Sequence, residues 1–304
     1  MRSTLYGLAI TAAVCFWATT AQAQIVWMNY SSGWQITQVA SGTYLSVAGR
    51  DQNDFRRDLY GATLSSGINF LNGTDSPGSW SVSSLIAAPN YRDLSAQTNG
   101  NGFFWGVNTS GGVDWLNWSG SWAVSPMVSG SYVSVANRTD NNINAYAARA
   151  DGGIDLIAFT GSGWVADALG GTVTGKYVDI APQRGANGFL WGVRDTGAID
   201  RISWAGGWTA TEIIAGNYTS VAPRTTDDNL YATLASGGIA YVNDPGTGWA
   251  ATPVITGPTV YGNITRDLLT PDLAYAVVVP EPTGLALLAS ALIGPLVYAW
   301  RKRA

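Results

Sequence analysis

The chain has 304 residues, 12% of them charged and 46% hydrophobic, with 37 Gly, 14 Trp, 14 Tyr, one Cys and no His. That is too apolar and aromatic for a disordered chain, and a formal charge of −4 leaves no basic footprint for nucleic acid. Without histidine, Ser-His-Asp catalysis and His-ligated zinc are excluded, so neither a metal site nor a cofactor is expected.

Residues 1–23 read as a secretory signal. Arg2 supplies the basic start and residues 8–17 a short apolar stretch, while Ala21 and Ala23 form the small-residue site for signal peptidase before Gln24. The apolar stretch is well below the ~20 residues that a spanning helix requires. Cys15 leaves with this segment, so the mature chain is expected to fold without a disulfide.

Residues 24–279 form a repeat. Tryptophans preceded by Gly or Ser stand at 34, 80, 122, 164, 208 and 249, in steps of 46, 42, 42, 44 and 41. A second marker keeps the same beat. Tyr44-Leu-Ser-Val-Ala-Gly-Arg50 returns as Tyr132-Val-Ser-Val-Ala-Asn-Arg138 and Tyr218-Thr-Ser-Val-Ala-Pro-Arg224, with looser copies starting at Tyr91, Tyr177 and Tyr261. Two markers in one phase define a unit of about 42 residues.

Within a unit the elements are short strands. In residues 132–170 four alternating or β-branched runs are separated by turns at Asn141-Asn142, Asp151-Gly-Gly and Gly161-Ser-Gly, and nothing has helical period. Four strands per unit predict one blade of a β-propeller, with the recurrent Trp between blades. The start of the domain supplies only a third and fourth strand and its end only a first and second. Five complete blades and one composite blade therefore predict an all-β, six-bladed propeller of four-stranded antiparallel blades. Asn101-Gly-Phe-Phe-Trp-Gly-Val recurs 86 residues on as Asn187-Gly-Phe-Leu-Trp-Gly-Val, a two-blade super-repeat that favours an even blade number. Seven blades would need ~40 further residues, and an open solenoid would not need part-blades at both ends.

The order within a blade (Ser-Val in the first strand, Gly-Gly after the second, Gly-x-Trp after the third) resembles the lectin-type propellers, such as the fucose-binding fungal lectins and tachylectin-like proteins. The resemblance implies carbohydrate binding in clefts between adjacent blades, using an Arg, a Glu and an aromatic in the fucose-binding group. Arg50, Arg138, Arg184, Arg224 and Arg266 would supply the arginine. Trp105 and Trp191, which occur only in alternate blades, would supply a stacking platform. The Glu is missing, because Glu212 is the single glutamate between residues 24 and 279. The residues themselves leave another reading open, in which the arginines pair with Asp51, Asp140 or Asp227 on the rim and the two tryptophans are core. The Asp- and Asn-rich loops at 51–58, 140–142 and 227–229 could offer oxygens to calcium but read as solvated turns.

An enzyme is not expected. Asp155, Asp179 and Asp200 lie in or near strands, but no blade gathers a singular acid cluster, and the Ser-x-Asp-x-Gly-x-Thr-Trp box of sialidase-type propellers is absent.

Residues 280–304 form a second address. Pro280, Glu281 and Pro282 precede an apolar transmembrane helix at about 284–300, and Arg301-Lys302-Arg303 fixes its end on the cytoplasmic side. This order resembles the PEP-CTERM sorting signal. It implies recognition by an exosortase-type sorting protease, cleavage near Pro280-Glu281-Pro282, and delivery from the inner membrane to the cell surface or extracellular matrix of a Gram-negative bacterium. The combined expectation is an exported, non-catalytic propeller that binds glycan or exopolysaccharide. The alternatives are a structural, protein-binding scaffold without a sugar site and, behind it, a glycosidase.

Overall fold

The inner strands of this protein start with Tyr and carry a small polar residue two places on, while every second strand opens with three apolar, buried residues on both faces. A strand that is apolar on both faces needs cover on both sides. Stacked blades give it that cover. The computed structural model describes residues 23–279 apart from 31–32, 51–56, 74–79, 99–100, 142, 184, 186–187, 225–226 and 268–273. Among these residues are 24 strands in six four-stranded antiparallel sheets and no helix. Blades I to V occupy residues 44–86, 91–128, 132–168, 177–214 and 218–255.

Blade VI is composite, as expected. Its strands run Trp34–Ser41, Gln24–Tyr30, Ala274–Val278, Tyr261–Arg266 across the sheet. Gln24 lies opposite Val278 and Trp27 opposite Tyr275, so the two ends of the domain close the ring by ladder hydrogen bonds, with no open seam. The expected signal segment up to Gln22, the proline-rich motif at Pro280, Glu281 and Pro282, and the expected transmembrane helix lie outside the described residues. Ala23 is described and buried, and its carbonyl accepts the Gly42 N–H.

The space between blades is filled in one way six times. The Trp at the start of each fourth strand, in blade V the residue just before it, lies edge-on to the aromatic at the second position of the preceding blade's second strand. The pairs are Trp34–Tyr231, Trp80–Tyr275, Trp122–Tyr60, Trp164–Trp105, Trp208–Tyr146 and Trp249–Trp191, with ring centroids 5.3–5.9 Å apart and planes at 75–83°. Edge-to-face contact of this kind contributes beyond the area it buries. The Gly/Ser-x-Trp beat is therefore a packing signal.

The central channel is held differently. Each inner strand carries a bulge after its Tyr, between Tyr44 and Ser46 in blade I and at the equivalent place in the other five. The extra residue turns the third side chain out of its own sheet towards the next blade. Those third residues are Ser46, Asp93, Ser134, Asp179, Ser220 and Asn263. Ser46 donates to Asp93 at 3.0 Å, Ser134 to Asp93 at 2.8 Å and Ser220 to Asp179 at 2.6 Å. The serine oxygens in turn accept N–H groups of Leu94, Ile180 and Ile264, and Asn263 accepts that of Val47. A closed girdle of side-chain hydrogen bonds thus links all six blades.

Candidate functional site

Two cavities compete with the inter-blade clefts for attention. The axial one, about 60 Å³, is lined by Asp93, Asp179, Asn263 and Arg266. Its carboxylates are saturated by the girdle: Asp93 accepts from Ser46, Ser134 and the Val135 N–H, Asp179 from Ser220 and the Val221 N–H. Burial is the main reason both carboxyls are pushed above the usual carboxylate range, Asp179 up to about 7 with the Asp93 charge adding to it. A wider recess of about 640 Å³ beside Tyr44 is lined by hydroxyls and backbone and has no charged side chain. Charge and exposed aromatic surface coincide elsewhere.

They coincide between blades III and IV, in a cleft of about 460 Å³. Arg138, the first residue beyond the inner strand Tyr132–Asn137, projects into it and grips Asp140 with two hydrogen bonds, Nε to Oδ1 at 2.5 Å and Nη2 to Oδ2 at 2.8 Å. That hydrogen bonding holds the guanidinium charged by raising its already high pKa. Tyr146 forms the floor; burial pushes its hydroxyl up to about 12, and it donates to the Gly188 carbonyl at 2.9 Å. Gly188 has φ +69°, and a Cβ there would meet Asp140 Oδ1 at 2.7 Å, so the backbone must approach the ion pair bare. Phe189 and Trp204 complete the wall, and the Trp204 indole is 55% exposed.

The same features recur two blades earlier, between blades I and II. Arg50 bridges to Asp58 at 2.6 Å and lies over the Phe70 ring at 5.1 Å; Tyr60 donates to the Gly102 carbonyl, and Trp118 is 53% exposed. In blade V, Arg224 pairs with Asp227, bonds the Tyr241 hydroxyl at 3.0 Å and covers its ring at 5.2 Å.

The arginines expected from the sequence therefore divide. Arg50, Arg138 and Arg224 share one register, each tied to an acid, and Arg138 lines the cleft between blades III and IV. Asp140 and Asp227 are the acids the rim-pairing reading expects, and Arg50 takes Asp58. Arg266 sits inside its strand, one residue early, and lines the axial cavity, which corrects its grouping with the others. Arg184 lies outside the described residues. The platform assigned to Trp105 and Trp191 is also corrected. Both are 0% exposed, because they occupy the second-strand position whose ring is covered by the next blade's Trp.

The exposed aromatics of the super-repeat are Trp118 and Trp204. Sequence reasoning passed over them, although they too stand 86 residues apart, each ending a third strand opposite the Trp that opens the fourth. Alternation along Val113–Trp118 and Ile199–Trp204 could not have found them, since it puts both on the face of the buried Asp114, Leu116, Asp200 and Ile202, and they are exposed because the strand ends there. The acids considered for catalysis are structural: Asp155 and Asp200 accept the hydroxyls of Tyr132 and Tyr177 at 2.8 and 2.7 Å, and Asp179 belongs to the girdle.

No family model and no curated protein matches the chain. Solved structures do. The Aleuria aurantia lectin, a fungal six-bladed β-propeller described with a novel fucose recognition mode, is similar with a TM-score of 0.57 at 11% identity, over 79% of this chain and 89% of the lectin. BP39L lectin from Burkholderia pseudomallei gives 0.53 at 13%, over 86% of both chains. The β-propeller domain of Cps50 (Swd1) from Myceliophteria thermophila gives 0.53 at 9%, over 80% and 85%. At these identities the shared property is the fold, and the likeness to lectin propellers read from the blade order holds at that level.

Proposed function

We propose that this protein is a non-catalytic, glycan-binding propeller, exported and sorted through its C-terminal signal to the cell surface or extracellular matrix. The observation that carries the binding reading is the exposed indole of Trp204 inside a concave cleft, beside a fixed guanidinium–carboxylate pair. An aromatic face takes up the C–H face of a sugar, and planar donors and acceptors take up its vicinal hydroxyls. Arg138 spends two of its five N–H donors on Asp140, and the others are available to a ligand. The solved lectin propellers support the same reading, since the Aleuria aurantia protein is described by its fucose recognition. The cleft also favours binding over hydrolysis. Its single lining carboxylate is Asp140, tied to Arg138, whereas paired-carboxyl glycosidases need two.

A glycan array probed with the full chain in detergent tests this. Binding is expected, and Trp204→Ala should weaken it about tenfold or more with the thermal midpoint unchanged, because most of the indole is already in solvent. An array without signal, or binding indifferent to Trp204→Ala, removes the reading. The second reading, a scaffold that contacts other proteins, is favoured by one observation: all three cleft arginines are already paired with acids. It gains if the array is silent.

A further inference from the structure

The six clefts are not alike, and their difference has a strict phase. The residue that follows each inner strand closes the same turn in every complete blade, its N–H bonding a carbonyl at the start of the second strand: Arg50, Gln97, Arg138, Gln183 and Arg224 bond Asp58, Phe103, Asn144, Phe189 and Asn229. Asp267 follows the inner strand of blade VI. In blades I, III and V the side chain at this place is an arginine with 18%, 26% and 13% of its surface in solvent. In blades II, IV and VI it is Gln97, Gln183 or Asp267, sealed at 1%, 0% and 2%.

The opposite wall follows this phase only in part. The third strands facing Arg50 and Arg138 end in Trp118 and Trp204, each paired across the hairpin with the fourth-strand Trp, and those facing Gln183 and Asp267 end in Asn243 and Gly73, but the one facing Gln97 ends in Phe159, half exposed and likewise paired with Trp164. Every cleft arginine is neutralised by its own acid, Asp58, Asp140 or Asp227, and the last two present their carboxylates to solvent at 29% and 39%. An anionic sugar entering such a cleft would meet a carboxylate before an unopposed cation, on a chain whose net charge is already −4.

We infer that the protein binds neutral saccharides at three sites, the alternate clefts I–II, III–IV and V–VI, one third of a turn apart around the ring. The inference rests on the glycan-binding reading above. Three sites spaced around a ring cannot be filled by one short oligosaccharide, so a polymer with a repeating neutral unit would be held by avidity and cross-linked.

Isothermal titration of the full chain in detergent with methyl α-L-fucoside, methyl β-D-galactoside and methyl α-D-mannoside, and with D-galacturonate and N-acetylneuraminate as anionic probes, tests both parts. The expected result is a neutral glycoside bound at three sites per chain, with affinity changing less than about twofold between low and high salt. Arg138→Ala should reduce the sites from three to two, and the Arg50, Arg138 and Arg224 triple alanine variant should show no heat. Preference for an anionic probe, or one site or six in the unaltered chain, overturns the inference and leaves glycan binding standing. Silence with every probe here and on the array removes both. The site number of the unaltered chain decides the matter even if a variant fails to fold.

Discussion

The girdle around the axis should make folding stability depend on pH in an unusual sense. Ser134 has one hydroxyl proton, yet its oxygen lies 2.8 Å from Asp93 Oδ2 and 3.1 Å from Asp179 Oδ1 while already accepting the Ile180 N–H. One proton serves one carboxylate, so the other contact requires a carboxyl that keeps its own. The pair therefore holds a proton, and its titration belongs to the pair. Burial, followed by the charge of Asp93, raises Asp179 from 3.8 to about 7. A raised folded value means that this stability is fully present below about pH 4 and is lost as pH rises through about 7. The span corresponds to about 4 kcal/mol, or on the order of 10 °C in thermal midpoint for a domain of this size. Asp93 is shifted in the same direction and adds to the same slope. Asp179→Asn keeps the shape and replaces the carboxyl proton with an amide one. The measurement is Trp fluorescence melting at constant ionic strength from about pH 5, where ordinary carboxylates are already ionised, to about pH 8. The wild-type midpoint should fall across that range and the variant's should fall by clearly less, with only Asp93 left to contribute. Parallel profiles, or a flat wild type, would refute the shared proton.

Two further outcomes test the packing and the addressing. Trp164→Ala removes the ring edge-on to Trp105 and should cost about 3 kcal/mol in urea unfolding, whereas Phe159→Ala, next to it but half exposed, should cost under about 1 kcal/mol. Mass spectrometry of the chain recovered from its native host should show Gln24 at the amino end and loss of residues beyond Pro280-Glu281-Pro282; an intact 32.0 kDa chain would contradict both processing steps.

Strand type, blade number and ring closure were legible because they depend on local pattern. A Trp every 41 to 46 residues and a Tyr-x-Ser-Val run are visible without knowing what touches what. The clefts were not legible to the same degree. Which of two neighbouring positions faces the axis and which the cleft is decided by the bulge after Tyr, a one-residue shift that no composition reports. Arg224 and Arg266 carry the same bulge but stand six and five residues after their tyrosines, so one lies beyond its strand and the other inside it, a one-residue difference that the grouping by position overlooked. Burial was misread for a related reason. Trp105 and Trp191 stand out as an alternate-blade feature, but they fill the slot held by Tyr60, Tyr146, Tyr231 and Tyr275 in the other four blades, and all of these are covered by a tryptophan from the next.

The two-blade period joins what look like separate features. Four residues separate Ser46 from Arg50, Ser134 from Arg138 and Ser220 from Arg224, and the same interval separates Asp93 from Gln97 and Asp179 from Gln183. The serine that donates inward to the girdle and the arginine that opens outward to a cleft therefore sit on one strand, and the carboxylate that accepts is followed by the glutamine that seals. At four junctions a serine blade neighbours an aspartate blade, and at the other two the link is a backbone N–H to Ser220 or Asn263. The outward pattern shares that alternation, with arginine after serine and glutamine after aspartate. Asn263 completes the logic: a third aspartate would put another buried carboxylate against the same small cavity, and the amide accepts the Val47 N–H without a charge.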